Sequence, residues 1–156
     1  MYTGQIRVRF GDIDQAGIVY YPRFFNYFHM VYEDYLRERV IPLHVILKER
    51  KIGFPIVHLE ADFRSPLRYG DVCPVELELI KLGGSSLTYR YRIYKEVPPE
   101  QGGGGETGLS GPAAARVLSA EARIITACMD IQAGAGALIP PDIRSMLEKE
   151  LVTTTA

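Results

Sequence analysis

The clearest helical pattern in the chain is an aromatic stripe near its N-terminal end. Apolar residues recur at spacings of three and four from Phe24 to Leu36, a period that predicts an amphipathic helix. Pro22 suits the first turn of this helix, where a missing N–H costs nothing. We expect the helix to end near Arg39 and to be preceded by a short strand over residues 5–10.

Beyond the helix the pattern changes to that of β-strands. A short helical segment over residues 43–50 comes first, and Gly83–Gly84 is a natural hairpin connection later on. Because the strand candidates are long and joined by short turns, an antiparallel sheet is predicted, and only the aromatic helix is long enough to cover it. The predicted fold class is therefore α+β, with the sheet wrapped around the helix. The strand candidates and a final short helix cover residues 54–64, 71–82, 86–97, 115–129 and 141–151.

Composition indicates an ordinary globular chain. It has 156 residues, 47% of them hydrophobic, and a formal net charge of −1, so a single domain over residues 1–156 is predicted. Without a Lys/Arg-rich stripe no nucleic-acid partner is expected, and no apolar run approaches the roughly 20 residues that span a bilayer. The start of the chain lacks a signal-peptide pattern, so a cytoplasmic location is expected. Cys73 and Cys128 are predicted to be reduced, packed thiols rather than a disulfide.

One segment has low complexity. Residues 98–115 contain four consecutive glycines and no apolar periodicity, which predicts a flexible loop inserted into the domain. The glycine run does not indicate a phosphate-binding loop, because no Lys-Ser/Thr follows it and no strand-to-helix transition surrounds it.

Two carboxylates, Asp12 and Asp14, lie just before the predicted aromatic helix. Backbone N–H groups at a helix N-terminus are unpaired, and the helix dipole is positive there. A carboxylate beside spare amide donors can attack a carbonyl, and the donors can hold the resulting oxyanion. The structural alternative for Asp14 is a helix cap, and for Asp12 a capping or turn-forming role is expected in place of chemistry.

The run RVRFGDIDQAGIVYYPRFF, followed by GFPIVHLEADFRSPLRYGD, resembles the signature of the hotdog-fold acyl-CoA thioesterases, in particular the 4-hydroxybenzoyl-CoA thioesterase type. The resemblance covers residues 5–97 and 116–145. It implies a hotdog fold and hydrolysis of an acyl- or aryl-CoA thioester to a carboxylate and free coenzyme A. It also implies a homodimer or homotetramer whose acyl pocket lies between two chains. No metal or redox cofactor is expected, since coenzyme A is part of the substrate.

The same resemblance assigns roles to individual residues. Asp14 matches the catalytic carboxylate, as nucleophile or general base, and the backbone amide of Tyr21 matches the oxyanion donor. Gly17 and Tyr20 are predicted to contact substrate, although Gly17 also suits a tight turn and Tyr20 also suits packing. The segment 53–58 matches the stretch that a neighbouring subunit contributes to the pocket. Its predicted substrate contacts are Pro55, Ile56, Val57 and His58.

Two positions depart from the family pattern. His29 stands where the 4-hydroxybenzoyl enzyme has a carboxylate facing the acyl group, and it is predicted to line the pocket. Residues 83–85, Gly-Gly-Ser, stand where that enzyme has basic residues that hold the nucleotide phosphates; the substitutes would be Arg64, Arg90, Arg92 or Lys95. Two alternatives therefore stay open: hydrolysis of acyl groups from acyl carrier protein, and a non-catalytic acyl-CoA sensor.

Overall fold

A five-stranded antiparallel sheet packs against one long helix in the computed structural model, which describes residues 1–97 and 115–152. The strands are β1 (Tyr2–Arg7), β2 (Ile52–Gly53), β3 (Ile56–Phe63), β4 (Val72–Leu82), β5 (Ser86–Val97), β6 (Ala115–Ala127), β7 (Met129–Asp130) and β8 (Ala135–Gly136). The main sheet has the order β1-β4-β5-β6-β3, and a small sheet has the order β2-β7-β8. The predicted antiparallel sheet is confirmed.

Within the described residues, three α-helices accompany the sheets: α1 (Pro22–Arg39), α2 (Leu43–Lys48) and α3 (Pro141–Glu150). The apolar stripe of α1 is buried along its whole length, because it packs on the inner face of the sheet. Gly4 of β1 permits a close approach, since a Cβ at this position would lie 3.1 Å from Val31. The buried residues of α1 are Phe24, Tyr27, Phe28, Val31, Tyr32, Tyr35 and Leu36, which confirms the predicted stripe.

The first strand differs from its predicted bounds. It covers Tyr2–Arg7 instead of residues 5–10, and Phe10–Asp12 form a single 3-10 turn. The carboxylate of Asp12 accepts a hydrogen bond of 2.9 Å from the Arg9 amide. This local side-chain bond stabilises a turn where residue pattern alone suggests extended chain.

The strand predicted over residues 115–129 is also shorter. It ends at Ala127, and Met129–Asp130 pair instead with β2 in the small sheet. At Cys128 the chain leaves the main ladder, where its amide donates to the Ser85 carbonyl at 2.6 Å. The predicted glycine-rich loop lies outside the described residues except for Ala115, which pairs with Val97.

Two further expectations concern the cysteines and membrane segments. Cys73 and Cys128 are both buried and free, as predicted. In the part of the chain that the structure describes, no helix combines the length and apolar composition needed to cross a membrane.

Candidate active site

Asp14 begins a tight turn between β1 and α1. Ile13 and Val19 form an isolated antiparallel bridge on either side of it. The Gly17 amide donates to the Asp14 carbonyl at 3.0 Å, and the Asp14 amide donates to the Ile18 carbonyl at 3.0 Å. Gly17 has a φ of 76°, in the left-handed region that glycine adopts without steric cost. The turn role predicted for Gly17 is thereby confirmed.

The Asp14 side chain is exposed and engaged locally. Its Oδ1 accepts a hydrogen bond of 2.8 Å from the Ala16 amide. Helix α1 begins at Pro22, and its N-cap residue is Tyr21 with no side-chain cap. The helix-cap interpretation of Asp14 is therefore wrong, as is its expected place immediately before the helix. A turn intervenes, because the carboxylate bonds to the nearer Ala16 amide.

Asp12 has a structural role. Its Oδ2 accepts hydrogen bonds from the Tyr27 hydroxyl at 2.7 Å and from the Arg9 amide at 2.9 Å, while Arg23 lies 3.7 Å from Oδ1. Burial, together with the hydrogen bond to Asp12, raises the pKa of Tyr27 well above its usual value, so the phenol stays a donor. Asp12 thus ties the 3-10 turn to α1, and the expected turn-forming role is confirmed.

The backbone amide of Tyr21 is available at the start of α1. The amides of Arg23 and Phe24 already donate to the carbonyls of Tyr20 and Tyr21, at 2.9 and 3.1 Å. Within residues 1–97 and 115–152 the Tyr21 amide has no acceptor, and Pro22 has no N–H to offer. The rings of Tyr20 and Tyr21 are both exposed and meet edge to face at 5.4 Å. The loop that holds Asp14 therefore ends at Tyr21, whose backbone N–H is unpaired among the described residues.

A cavity of about 440 Å³ lies between α1, α2 and the inner face of the sheet. This volume falls within the range of about 300–1,000 Å³ usual for small-molecule sites. Three predicted site residues line it: His29, Pro55 and Ile56. The remaining lining residues are Phe25, Phe28, Tyr32, Leu43, Leu47, Gly53, Phe54, Leu59, Tyr89, Tyr91, Ile124, Thr126, Met129 and Ile131.

One chain does not bring all the predicted residues together. Asp14, Gly17, Tyr20 and Tyr21 lie on the loop before α1 and are not part of the cavity wall. Val57 and His58 lie on β3, where both are exposed and the strand bulges between Ile56 and His58. The structure thus separates a loop with a carboxylate and an amide donor from an apolar cavity.

Several cavity residues escape sequence reasoning. Tyr32 is three residues from His29 on α1, so helical spacing could have identified it. Tyr89 and Thr126 come from different strands, and only the β5–β6 register places them on one wall. At the edge of the cavity His29 Nε2 lies 2.8 Å from Glu33 Oε1.

The cations expected to hold coenzyme A phosphates are engaged elsewhere. Arg90 and Arg92 contact the largely buried Glu78 at 2.6 and 2.7 Å on the outer face of the sheet. Burial alone would raise the pKa of Glu78, but these hydrogen bonds hold it below its usual value. Lys95 and Arg64 also lie 3.2 and 3.5 Å from carboxylates. The partly buried pairs disfavour a phosphate-binding role for Arg90, Arg92 and Lys95, whereas the exposed Arg64–Asp62 pair is weak.

Residues 8–147 match the thioesterase-like superfamily. A 1,4-dihydroxy-2-naphthoyl-CoA hydrolase of Prochlorococcus marinus is 35% identical over 95 residues, which are 56% of this chain and 61% of the relative. The chain therefore spans less than two thirds of that relative's length.

Two solved structures share the architecture. A hypothetical protein of Thermus thermophilus has a TM-score of 0.77 and 28% identity, over 95% of this chain and 98% of that chain. A 4-hydroxybenzoyl-CoA thioesterase mutant, complexed with 4-hydroxybenzoyl-CoA, has a TM-score of 0.76 and 24% identity, over 93% and 96% of the two chains. The predicted family and fold are confirmed: the chain belongs to the thioesterase-like superfamily and has the hotdog fold.

Proposed function

We propose that this protein is an acyl-CoA thioesterase that hydrolyses an aryl or medium-sized apolar acyl thioester to a carboxylate and free coenzyme A. The supporting observation is the loop before α1, where the exposed carboxylate of Asp14 is followed by the unpaired backbone amide of Tyr21. The apolar cavity is suited to the acyl group, and the Prochlorococcus relative is named as a hydrolase of an aryl-CoA thioester.

The chemistry requires few groups. A thioester carbonyl is weakly conjugated, and a thiolate leaves without a strong acid. Asp14 either attacks the carbonyl to form an anhydride that water then cleaves, or removes a proton from the attacking water. In both routes the Tyr21 amide donates a hydrogen bond to the oxyanion of the tetrahedral intermediate.

A homodimer would complete the site. Among the described strands β3 pairs only with β6, so one edge of β3 is open. Ile56, Val57 and Phe63 on this strand are 56%, 61% and 48% exposed. An open edge with exposed apolar side chains is a template for pairing with another strand. The proposed occupant is β3 of a second copy, which would extend the antiparallel sheet through both chains.

A two-fold axis relating the two copies would explain why the Asp14 loop and the cavity lie apart within one chain. With the bulge before His58 counted, an antiparallel pairing centred on Glu60 places Ile56 of one copy opposite Phe63 of the other. The Phe63 ring packs at 5.0 Å on Phe24, which lies in the first turn of α1 beside Tyr21. The cavity edge at Ile56 in one copy would thus approach the α1 N-terminus, with its Asp14 loop, in the other. Association of two such dimers would form a homotetramer.

The reaction is tested by thiol release from a panel of acyl-CoA substrates (benzoyl, 4-hydroxybenzoyl, phenylacetyl, butyryl, octanoyl and palmitoyl). Asp14→Asn should lose at least about 10³-fold in kcat, because it removes both the nucleophile and the base. The matched control is Asp34→Asn, an exposed carboxylate on α1 outside the cavity, which should keep full activity. Equal rates in wild type and Asp14→Asn would refute the assignment.

If none of these acyl-CoA substrates releases thiol, two further measurements distinguish the alternatives. Hydrolysis of acyl groups from acyl carrier protein alone would reassign the substrate. Stoichiometric binding of acyl-CoA without hydrolysis, unchanged in Asp14→Asn, would identify a sensor.

Sharing of the site between two chains is tested by complementation. Asp14→Asn removes the carboxylate, and His29→Trp fills the cavity edge with a large ring at an exposed position. Each variant alone should be inactive. A hybrid dimer retains one complete site, so co-expressed chains should recover about a quarter of wild-type activity. No recovery, with hybrids shown to form by differential tagging, would mean that each site lies within a single chain.

A further inference from the structure

A surface groove lies directly beside the acyl-sized cavity, between α1 and α2. It has a volume of about 240 Å³ and is lined by Glu33, Arg37, Leu43, His44, Leu47 and Lys48. Of the described residues, two line both the groove and the cavity: Leu43 and Leu47. These two side chains, which we call the leucine partition, therefore separate the two spaces.

The leucine partition belongs to one face of α2. Leu43 and Leu47 are four residues apart, so their side chains lie one above the other on the same side of the helix. A helix of six residues is not stable by itself. Ile46 is fully buried and holds α2 against the core, and just beyond α2 Arg50 donates two hydrogen bonds to Asp142 of α3, at 2.8 and 2.9 Å. These contacts fix the position of the partition.

The two spaces differ in chemistry on either side of the partition. The cavity wall is mostly aromatic and aliphatic, whereas the groove, apart from the two leucines, is lined by charged and polar side chains. On α1 the boundary continues as an ion pair: His29 lines the cavity, Glu33 lines the groove, and His29 Nε2 lies 2.8 Å from Glu33 Oε1. The apolar stems of Arg37 and Lys48 can cover an alkyl chain while their charged ends stay in water. The groove could therefore hold the end of an acyl chain if the leucines did not close it off.

We propose that Leu43 and Leu47 are specificity-determining residues that set the longest acyl chain that the cavity accepts. This inference rests on the proposed thioesterase function and adds what limits the size of the acyl group. In the proposed dimer the thioester lies at the Ile56 edge of the cavity, and the acyl chain fills the cavity until it meets the partition. Each further buried methylene increases affinity about fourfold, the equivalent of about 0.8 kcal/mol. The value of kcat/KM should therefore rise with chain length and fall once the chain meets the leucines, because overpacking is unfavourable.

The test measures kcat/KM for saturated acyl-CoA substrates from butyryl to myristoyl, in steps of two carbons. Leu47→Ala opens the partition, and because Leu47 is 37% exposed, little surrounding packing can collapse into the gap. For the chain two carbons longer than the wild-type optimum, kcat/KM relative to that optimum should increase about 4- to 15-fold, the value of one to two buried methylenes. Leu43→Ala should shift the profile in the same direction. Leu47→Met conserves the volume and should retain the wild-type length limit.

Leu151→Ala is the matched control. Leu151 is also 37% exposed, and it lines neither the cavity nor the groove, so its truncation should leave the chain-length profile unchanged. Thermal unfolding confirms that each variant is folded at the assay temperature. An unchanged profile in both Leu47→Ala and Leu43→Ala, or an equal shift in Leu151→Ala, would overturn the proposed role of the partition.

A binding measurement separates this inference from the proposed reaction. Calorimetry of Asp14→Asn, and of the double variant that also carries Leu47→Ala, measures chain-length selection for the same substrates without turnover. Tighter binding of the longer chains by the double variant supports the partition even if wild type hydrolyses nothing. Hydrolysis with the same length profile in wild type and in both alanine variants of the partition would leave the thioesterase intact and overturn this inference. Absence of both binding and turnover would overturn both proposals.

Discussion

Substitution of Gly17 by alanine links backbone strain to catalysis. Gly17 has a φ of 76°, and a Cβ built there meets no atom within 4 Å. The substitution therefore causes torsional strain without a clash, at a cost of about 1–2 kcal/mol. Alanine also has fewer conformations than glycine in the unfolded chain, which offsets about 0.4–1 kcal/mol of this cost. The free energy of unfolding should therefore fall by about 1 kcal/mol. For a chain of this length the expected decrease in Tm is about 2–4 °C.

The same strain should affect turnover more than stability. The alanine can relieve its strain only by shifting the turn, which is closed by bonds to the Asp14 carbonyl and amide. A displacement of about 1 Å at a reacting group can cost about 10²-fold in rate, so we expect kcat to fall by about 10- to 100-fold. Asparagine tolerates the left-handed region, so Gly17→Asn should retain more activity than Gly17→Ala.

Two glycines provide matched controls. Gly134 has a φ of 64° and equally open space, and it lies in the turn between β7 and β8. Gly134→Ala should therefore lose the same stability and keep its kcat. Gly11 lies near Asp14 in open space without a positive φ, so Gly11→Ala should keep both. Steady-state kinetics and thermal unfolding measure both effects, and the reasoning fails if Gly17→Ala loses stability like Gly134→Ala yet keeps wild-type kcat.

Three further predictions concern stability, reactivity and assembly. Glu78→Gln removes a buried carboxylate bound by two arginines and should lower the unfolding free energy by about 1.5–3 kcal/mol in denaturant titrations at pH 7, against less than about 0.5 kcal/mol for the exposed Glu96→Gln. The pKa of Glu78 is lowered in the folded state, so the stability difference between wild type and Glu78→Gln should be fully present above the unfolded-state pKa of about 4.3. It should disappear as the pH falls through the folded-state pKa. Burial raises the pKa of Cys73 to about 12, so a thiol reagent at pH 8 should modify it only after unfolding; rapid labelling of the native protein would contradict this. Val57→Lys places a charge at the open β3 edge and should shift sedimentation toward the monomer, whereas an unchanged oligomer would exclude this edge from the interface.

Much of the fold could be predicted because it depends on local periodicity. The apolar period of α1 and the long strand patterns identified the helix and the antiparallel sheet. Errors occurred where a single side chain redirects the backbone. Asp12 replaces the end of the first strand with a turn, and Asp14 bonds to the Ala16 amide instead of capping α1. Residue patterns do not reveal such choices, because local side-chain hydrogen bonds compete with regular secondary structure.

The candidate site was only partly accessible from the sequence. The motif around Asp14 and the segment containing Pro55 and Ile56 could be identified, since each is continuous in the chain. The cavity wall formed by Tyr32, Tyr89 and Thr126 could not, because its parts come from a helix and two strands.

By itself, the sequence determined the family motif, the aromatic helix and the antiparallel architecture, because these depend on neighbouring residues and regular spacing. Only the tertiary structure decided that the Asp14 loop and the acyl-sized cavity lie apart within one chain, and that β3 presents an open edge. The physical reason is that burial, strand register and hydrogen-bond satisfaction depend on contacts between residues distant in sequence. Those contacts also bring Tyr32, Tyr89 and Thr126, from one helix and two strands, to one side of the cavity.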